Sequence, residues 1–239
     1  MAGHSKWANI KHKKGRADAK KGKIFSRAAK EIISAVKEGG PDPKGNPRLR
    51  LAIDKAKSSN VPNDIIDRNI KKASASDQAD YEELSYELYG YGGVGIYLDI
   101  MTDNRNRIAS EIRIAINKKG GSIANPGAVA YNFDRKGLIQ VSKEGVDEDE
   151  LLLAATEAGA EDFDEMDEAY IVITDPTSLY QVKEELAKLG FKCMETSLEM
   201  IPKVTVEVDE ETGKSNEALI ERLEEIEDVD ALFHNMAGE

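Results

Sequence analysis

The segment GHSKWANIKHKKGRADAKKGKIFSR, Gly3 to Arg27, holds nine Lys or Arg and a single acid, Asp18. Positive charge at this density, with His4, Trp7 and His12 among it, suits an arm that tracks a phosphate backbone and stacks a ring on a base. The bland alternative is a solvated basic tail. The rest of the chain argues for contact: residues 1–72 carry 19 Lys or Arg against 7 Asp or Glu, whereas residues 73–239 carry 14 against 38, and the formal net charge is −12. A basic module is joined to an acidic body, and their fields steer different partners. Phosphates are attracted to the first and repelled by the second.

Other residues with chemistry to offer are weaker candidates. Thr102-Asp103-Asn104-Arg105-Asn106-Arg107 follows a strand-like run and opens a helix, so its backbone N–H groups and two arginines could hold a phosphate or carboxylate. An ordinary Thr102-Asp103 cap with surface arginines accounts for the same residues. Gly90 to Gly95 precedes a strand where a dinucleotide fingerprint would link strand to helix. Gly15 to Lys23 ends in Gly-Lys but has six intervening residues and Ile24 where a P-loop needs Ser or Thr for magnesium. The acids Glu157, Glu161, Asp162, Asp164, Glu165, Asp167 and Glu168 lack the glycine and bidentate terminus of an EF-hand and read as solvated surface. Cys193 is alone, excluding an internal disulfide, and lies in a strand-like run as a small buried hydrophobe. His4, His12 and His234 offer neither zinc spacing nor a catalytic set. No enzyme, metal, cofactor or small-molecule substrate is expected.

The elements that position these residues follow from periodicity. Ile24, Phe25, Ala28, Ile32, Ala35 and Val36 recur at helical spacing up to Gly39-Gly40-Pro41, with Lys20, Lys23, Arg27 and Lys30 mostly off that stripe. Asn46-Pro47 caps and opens a second helix burying Leu49, Ala52, Ile53 and Ala56. A third starts near Pro62 and buries Ile65, Ile66 and Ile70, with Asp64 and Asp67 early and Lys71-Lys72 late, as the helix dipole favours. From Ala73 to Glu83 the chain is polar and reads as a linker. Beyond it, strand Val94 to Met101, a helix burying Ile108, Ile112, Ala115 and Ile116, and a β-rich run Val129 to Phe133 form one group. Strand Leu138 to Val141, a helix from Asp147, strand Ala169 to Ile173, a helix from Asp175-Pro176 to Leu189 and strand Lys192 to Met200 form another, in the order of a split βαβ. Strand Val204 to Val208, helix Ser215 to Ile226 and strand Val229 to Phe233 remain and are expected to rejoin the first group.

The expected fold is α+β: an N-terminal three-helix bundle followed by two ferredoxin-like α/β domains, one inserted in the other. The boundaries are 1–76, then 77–134 plus 203–239, with 135–202 inserted. No stretch approaches the ~18 consecutive apolar residues of a membrane span, and the basic start lacks a signal peptide's apolar run, so a cytoplasmic location is expected.

GHSKWANIKHKKGRADAKKGKIFSR, together with LDIMTDNRNR (Leu98 to Arg107) and GAVAYNFDRKG (Gly127 to Gly137), closely resembles the YebC/PmpR family across essentially the whole chain. The resemblance implies the helical domain and the two ferredoxin-like domains, the third inserted in the second. It also implies one of two roles: a DNA-binding transcriptional regulator, or a ribosome-associated factor contacting ribosomal or transfer RNA and helping translation through proline-rich stretches. By position, Lys6, Trp7, Lys11, His12, Lys13, Lys14, Arg16, Lys20, Lys21, Lys23 and Arg27 become nucleic-acid contacts, with Arg105 and Arg107 as a second tier. The turn Tyr86-Glu87-Leu88-Tyr89-Gly90-Tyr91-Gly92-Gly93 departs from the family pattern, with Leu88 and Tyr91 at the usual Gly and Pro positions. A ligand sensor built between the acidic domains is the remaining alternative and requires a polar-lined pocket. The expectation is a non-catalytic regulator of gene expression whose partner is DNA or ribosomal or transfer RNA, with the ribosome as a possible host and no membrane.

Overall fold

The computed structural model describes residues 17–74, 80–166 and 169–238, and only the backbone at 17–21 and 58. An N-terminal helical region is followed by two regions of antiparallel sheet with helices. The chain divides into two compact units, one ending at Phe133 and resuming at Pro202, the other spanning Asp134–Ile201. No described helix is long and apolar enough to cross a membrane.

In the first unit, α1 (Ala17–Gly39), α2 (Pro47–Ser58) and α3 (Asn63–Ala73) pack around Ile32, Ala35, Leu49, Ala52, Ala56, Val61 and Ile66. The turn between α1 and α2 depends on Asn46, which is 3% exposed. Its Oδ1 accepts from Leu49 N at 3.0 Å, while its Nδ2 donates to Ala35 O at 2.7 Å and Gly40 O at 2.8 Å. One side chain thus caps the start of α2 and satisfies the open carbonyls at the end of α1. Gly39 must be glycine for this, because a Cβ there would lie 2.6 Å from the Asn46 amide carbon.

The sheet of this unit has the order β3-β1-β2-β8, with β3 the short strand Ser122–Ile123. Strands β1 (Glu82–Tyr89) and β2 (Gly95–Thr102) form an antiparallel pair with Tyr86 opposite Leu98, and β8 (Val229–His234) runs along β2. Helices α4 (Arg105–Lys119) and α7 (Glu210–Glu224) bury Ile108, Ile112, Ala115, Leu219 and Leu223 against Leu88, Ile96, Leu98 and Ile100. The linker expected through Glu83 is therefore too long. In EELSYELY the residues Leu84, Tyr86 and Leu88 face the core while the intervening residues do not, a period-two strand that reads as polar. Leu88, at the family's usual Gly position, is fully buried. The departing turn is held from its backbone, since Asn216 accepts from Tyr91 N at 2.8 Å and donates to Tyr91 O at 3.1 Å.

Two other expected strands are absent as such. Ala130–Asn132 is a 3-10 turn, and the third strand of the sheet is the short β3 (Ser122–Ile123). The cause is Glu87, whose buried carboxylate accepts from the N–H groups of Gly127, Val129 and Ala130 at 2.6, 2.6 and 2.8 Å, withdrawing them from any ladder. Although burial of the carboxyl pushes its pKa up, the three backbone N–H groups hold it below the usual range. Val204 to Val208 makes only a single parallel bridge, Val206 to Met236.

The second unit contains α5 (Glu148–Ala158), β5 (Asp162–Glu165), β6 (Ala169–Thr174) and α6 (Leu179–Lys188), with most of β4 (Phe133–Ser142) and β7 (Cys193–Pro202). Its strand order is β5-β6-β4-β7, and Ile139, Val141, Tyr170 and Val172 pack against Leu151, Leu179, Val182 and Leu186. A helix from Asp147 is expected, and Asp147 proves to be the cap of α5, accepting from Glu150 N at 3.0 Å. Strand β5 lies within the acidic cluster that the sequence presents as mere surface; two of its acids form ion pairs, Glu161 with Lys136 and Glu165 with Lys143, both at 2.6 Å. Helix α6 starts at Leu179 because Asp175 to Ser178 forms a hydrogen-bonded turn first, with Ser178 N on Asp175 O at 3.1 Å.

Replacing Asn46 with Ala removes a cap and leaves the carbonyls of Ala35 and Gly40 without this donor, so Asn46→Ala is expected to cost about 2 kcal/mol in urea unfolding. A loss below about 0.5 kcal/mol would show that water replaces the amide.

Candidate nucleic-acid interface

Lys6, Trp7, Lys11, His12, Lys13, Lys14 and Arg16 lie outside the described residues. Lys20 and Lys21 are on the first turns of α1, where only backbone is described. Lys23, Arg27, Arg105 and Arg107 are described in full, and all four meet partners within the first unit.

Lys23, Arg27 and Lys30 stand at i, i+4 and i+7, forming one stripe of α1. That stripe meets the segment Glu224 to Asp230, where α7 ends and β8 begins. Lys23 Nζ donates to Glu224 O and, at 3.2 Å, to Val229 O. Arg27 Nη1 donates to Asp230 O at 3.3 Å and its Nε to Glu31 Oε1 at 3.1 Å, and Lys55 of α2 also pairs with Glu31. Lys30 Nζ donates to Met101 O at 3.1 Å, Glu227 O at 3.3 Å and Asp228 Oδ1 at 3.0 Å. The end of a helix carries carbonyls without partners and a partial negative charge, so α1 supplies a cationic cap to α7 from across the interface.

Lys30 is the residue that periodicity misplaces. Expected off the apolar stripe, it is 5% exposed. Its partner Asp228, 3% exposed, also accepts from Thr102 Oγ1 at 2.8 Å and from Arg107, which reaches Asp103 at 2.7 Å as well. Neither residue could be paired from sequence, because 198 positions separate them. Burial pushes the Asp228 carboxyl up, but its hydrogen bonds from Arg107, Lys30 and Thr102 hold it below the usual carboxylate range. The neighbouring Asp230 goes the other way: burial outweighs Arg27 and Lys30 and raises it to about 6.

Arg105 pairs with Glu82 at the surface. The cap of α4 is Asn104, not Thr102-Asp103. Asn104 Oδ1 accepts from the N–H groups of Asn106 and Arg107 at 3.1 and 3.0 Å, and Thr102 Oγ1 accepts from Asn104 N at 3.0 Å. Those amides are thus engaged where the anion-binding reading needs them open. Among the described residues no group of three or more His, Cys, Asp or Glu is arranged to hold a metal. Cys193 is half-buried in β7, and burial pushes its thiol pKa up.

The two aspartates give opposite pH signatures. For Asp230 the folded pKa lies above the ordinary 3.8, so the native state holds a proton the unfolded chain releases, and stability falls as pH rises from about 4 to about 6. Asp230→Asn is expected to raise Tm at pH 8 and to leave it unchanged near pH 3.5. For Asp228 the folded pKa is depressed, so its contribution is present above the ordinary value and lost as pH falls. Asp228→Asn is expected to cost about 3 kcal/mol at pH 7, because Lys30 is left buried without its counter-ion, and less in acid. Parallel melting curves across pH check both.

Comparison with known proteins places this geometry. Residues 5–76 match the TACO1/YebC protein N-terminal domain, and residues 81–236 match the TACO1/YebC second and third domain. A probable transcriptional regulatory protein of Protochlamydia amoebophila is 66% identical over 236 residues, covering 99% of this chain and 96% of its own. One from Chlamydia trachomatis serovar L2 is 59% identical over 238 residues, covering 99% and 100%. The crystal structure of a conserved hypothetical protein from Aquifex aeolicus superposes with a TM-score of 0.82 at 45% identity, covering 96% of each chain. With the basic arm, the capped bundle and both sheet regions matched over nearly its whole length, this chain belongs to the TACO1/YebC family.

Proposed function

We propose that the protein is a non-catalytic, cytoplasmic, nucleic-acid-binding regulator of gene expression, acting as a DNA-binding transcriptional regulator. The observation that carries this reading is the reversal of charge along the chain, +12 over residues 1–72 against −24 over the remainder. The relatives named above as probable transcriptional regulatory proteins support it. Contact with phosphates is assigned to Lys6, Lys11, Lys13, Lys14, Arg16, Lys20 and Lys21, with Trp7 and His12 offering rings to bases. Lys23 and Arg27 orient the arm through the body. We also read the chain as three domains, over 1–76, 77–134 plus 203–239, and 135–202. The last has the strand order 4-1-3-2 of a ferredoxin-like sheet, and the discontinuous one is read as ferredoxin-like too.

One observation favours the second reading, a ribosome-associated factor contacting ribosomal or transfer RNA. Base-edge readout in a major groove needs a helix whose first turns present donors. In α3 those turns present Asp64 and Asp67, both exposed, and Arg68 is drawn to Asp64 at 3.6 Å. An arm on an acidic body fits recognition of RNA shape and phosphate better than sequence readout.

Crosslinking in cells followed by sequencing of the recovered nucleic acid separates the two. Discrete promoter DNA is expected for the first reading; ribosomal or transfer RNA without promoter DNA overturns it in favour of the second. Replacing Lys11, Lys13, Lys14 and Arg16 together with Ala is expected to weaken binding and to flatten the slope of log K against log salt by about three, with Tm unchanged. An unaltered slope would move the contact surface off the arm.

A further inference from the structure

We infer that the protein self-associates through the uncharged surface formed by Tyr89, Ala128, Tyr131 and Val204, with a second copy of the chain covering it about a two-fold axis. In a chain that is 33% charged, residues 120–133 and 88–98 run for fourteen and eleven positions without Asp, Glu, Lys or Arg, the two longest such runs in the sequence. The fold brings them together. Leu88 and Tyr89 pair with Ile123 and Ser122 between β1 and β3, and Tyr89 Oη donates to Ala128 O at 3.1 Å. Val129 packs on β2, where a Cβ on Gly95 would approach its Cγ1 to 2.9 Å. Val204 joins them from the returning segment of the unit. Its carbonyl accepts from Asn132 Nδ2 at 3.0 Å, while Lys203 donates through N to Asn132 O at 2.7 Å and through Nζ to Tyr131 O at 2.9 Å.

Uncharged runs of this length normally supply a core. Here their outward side chains stay in solvent: Tyr131 is 73% exposed, Val204 65%, and Tyr89 is exposed as well. At roughly 200 Å² per side chain, these three present on the order of 350 Å² of mostly apolar surface, within the range of the largest patch on a monomer. Aromatic side chains with charge excluded are the composition of an interface centre. The surface is also fixed in advance, because Glu87 accepts from the N–H groups of Gly127, Val129 and Ala130, so docking orders little that is not already ordered.

Charge selects the occupant. Each copy carries a formal net charge of −12, so two copies repel unless they meet where neither presents charge. Near a two-fold axis a residue faces its own copy, and Tyr, Val and Ala set no like charges against each other, which makes the surface complementary to itself. A cationic protein is drawn instead to the acidic faces of the body, and a polyanion is opposed by them. Doubled across the axis, with the exposed Asn125, Pro126, Gly127 and Ile123 at its margin, the contact reaches about 1,000 Å², the size of a weak, reversible dimer. Salt then screens the repulsion and leaves the apolar contact, so association strengthens with ionic strength, opposite to nucleic-acid binding.

The test is sedimentation equilibrium of the full-length, nucleic-acid-free protein from low to several hundred micromolar, at low and at high salt. The average mass is expected to climb toward twice that of the monomer, with a micromolar dissociation constant that falls roughly threefold as salt rises. Tyr131→Glu and Val204→Glu each oppose like charges across the axis and are expected to raise that constant by about tenfold or more. Their Tm in dilute solution should hold because both side chains are exposed, and Tyr131→Phe should associate as wild type does. The inference is overturned if wild type stays monomeric throughout, the outcome if the surface serves a different protein. It is equally overturned if both glutamate variants associate as wild type does, or if association weakens with salt, as an ionic contact elsewhere would.

Discussion

The contact on which the first unit depends is the buried ion pair between Lys30 and Asp228, at 3.0 Å with both side chains almost out of water. Moving two charges from water costs several kcal/mol per ion, and attraction between them offsets that only when the remaining donors and acceptors are also matched. Here they are. The ammonium has three acceptors, Met101 O, Glu227 O and Asp228 Oδ1, and the carboxylate has three donors in Lys30, Arg107 and Thr102. The Tyr81 ring, 5.8 Å from Nζ to its centroid, completes the surroundings of the ammonium. An apolar pair of similar volume would give comparable stability, but it would not fix direction. The ion pair admits one docking of α1 on the junction of β2, α7 and β8.

That docking gives lysines of one helix two different jobs. Lys23 completes the carbonyl end of α7 and Lys30 holds the turn after it through Glu227 O and Asp228, while Lys20 and Lys21 precede the docked stripe. Burial outweighs Glu224 and Asp230 at Lys23 and lowers its pKa. The α1 cations that dock on the body and those that precede them are the same residue types, so composition alone could not divide them. The divider is depth along α1, and it depends on Glu224 to Asp230, about two hundred residues away.

Legibility followed locality. The Asn46-Pro47 start, the helix beginning at Asp147 and the apolar face of α4 could be read because each signal lies within a few residues of the feature it controls. Strands β1 and β5 could not, since Glu82, Glu83 and Glu87 in the one and Asp162, Asp164 and Glu165 in the other make both read as polar. Val129 to Phe133 reads as a strand because it is β-rich, yet Ala130–Asn132 is a 3-10 turn. Only the distant carboxylate of Glu87 makes it a turn. The arm itself was the plainest signal, because charge accumulates along the chain without needing a partner. Its boundary with the structural cations was the least plain.

The same asymmetry restricts where a polyanion can lie. Residues 73–239 carry a balance of −24, and a field of that sign opposes phosphate within about 8 Å of exposed charges at physiological salt. Attraction is then confined to the helical module, whose stripe at Lys23, Arg27 and Lys30 is already neutralised by carboxylates and carbonyls. Further along the module Lys44, Arg50, Lys57, Lys71 and Lys72 are exposed as well. Lys20 lies three residues from Lys23, about 4.5 Å along the helix axis. The buried ion pair between Lys30 and Asp228 sets the direction in which α1 leaves the sheet.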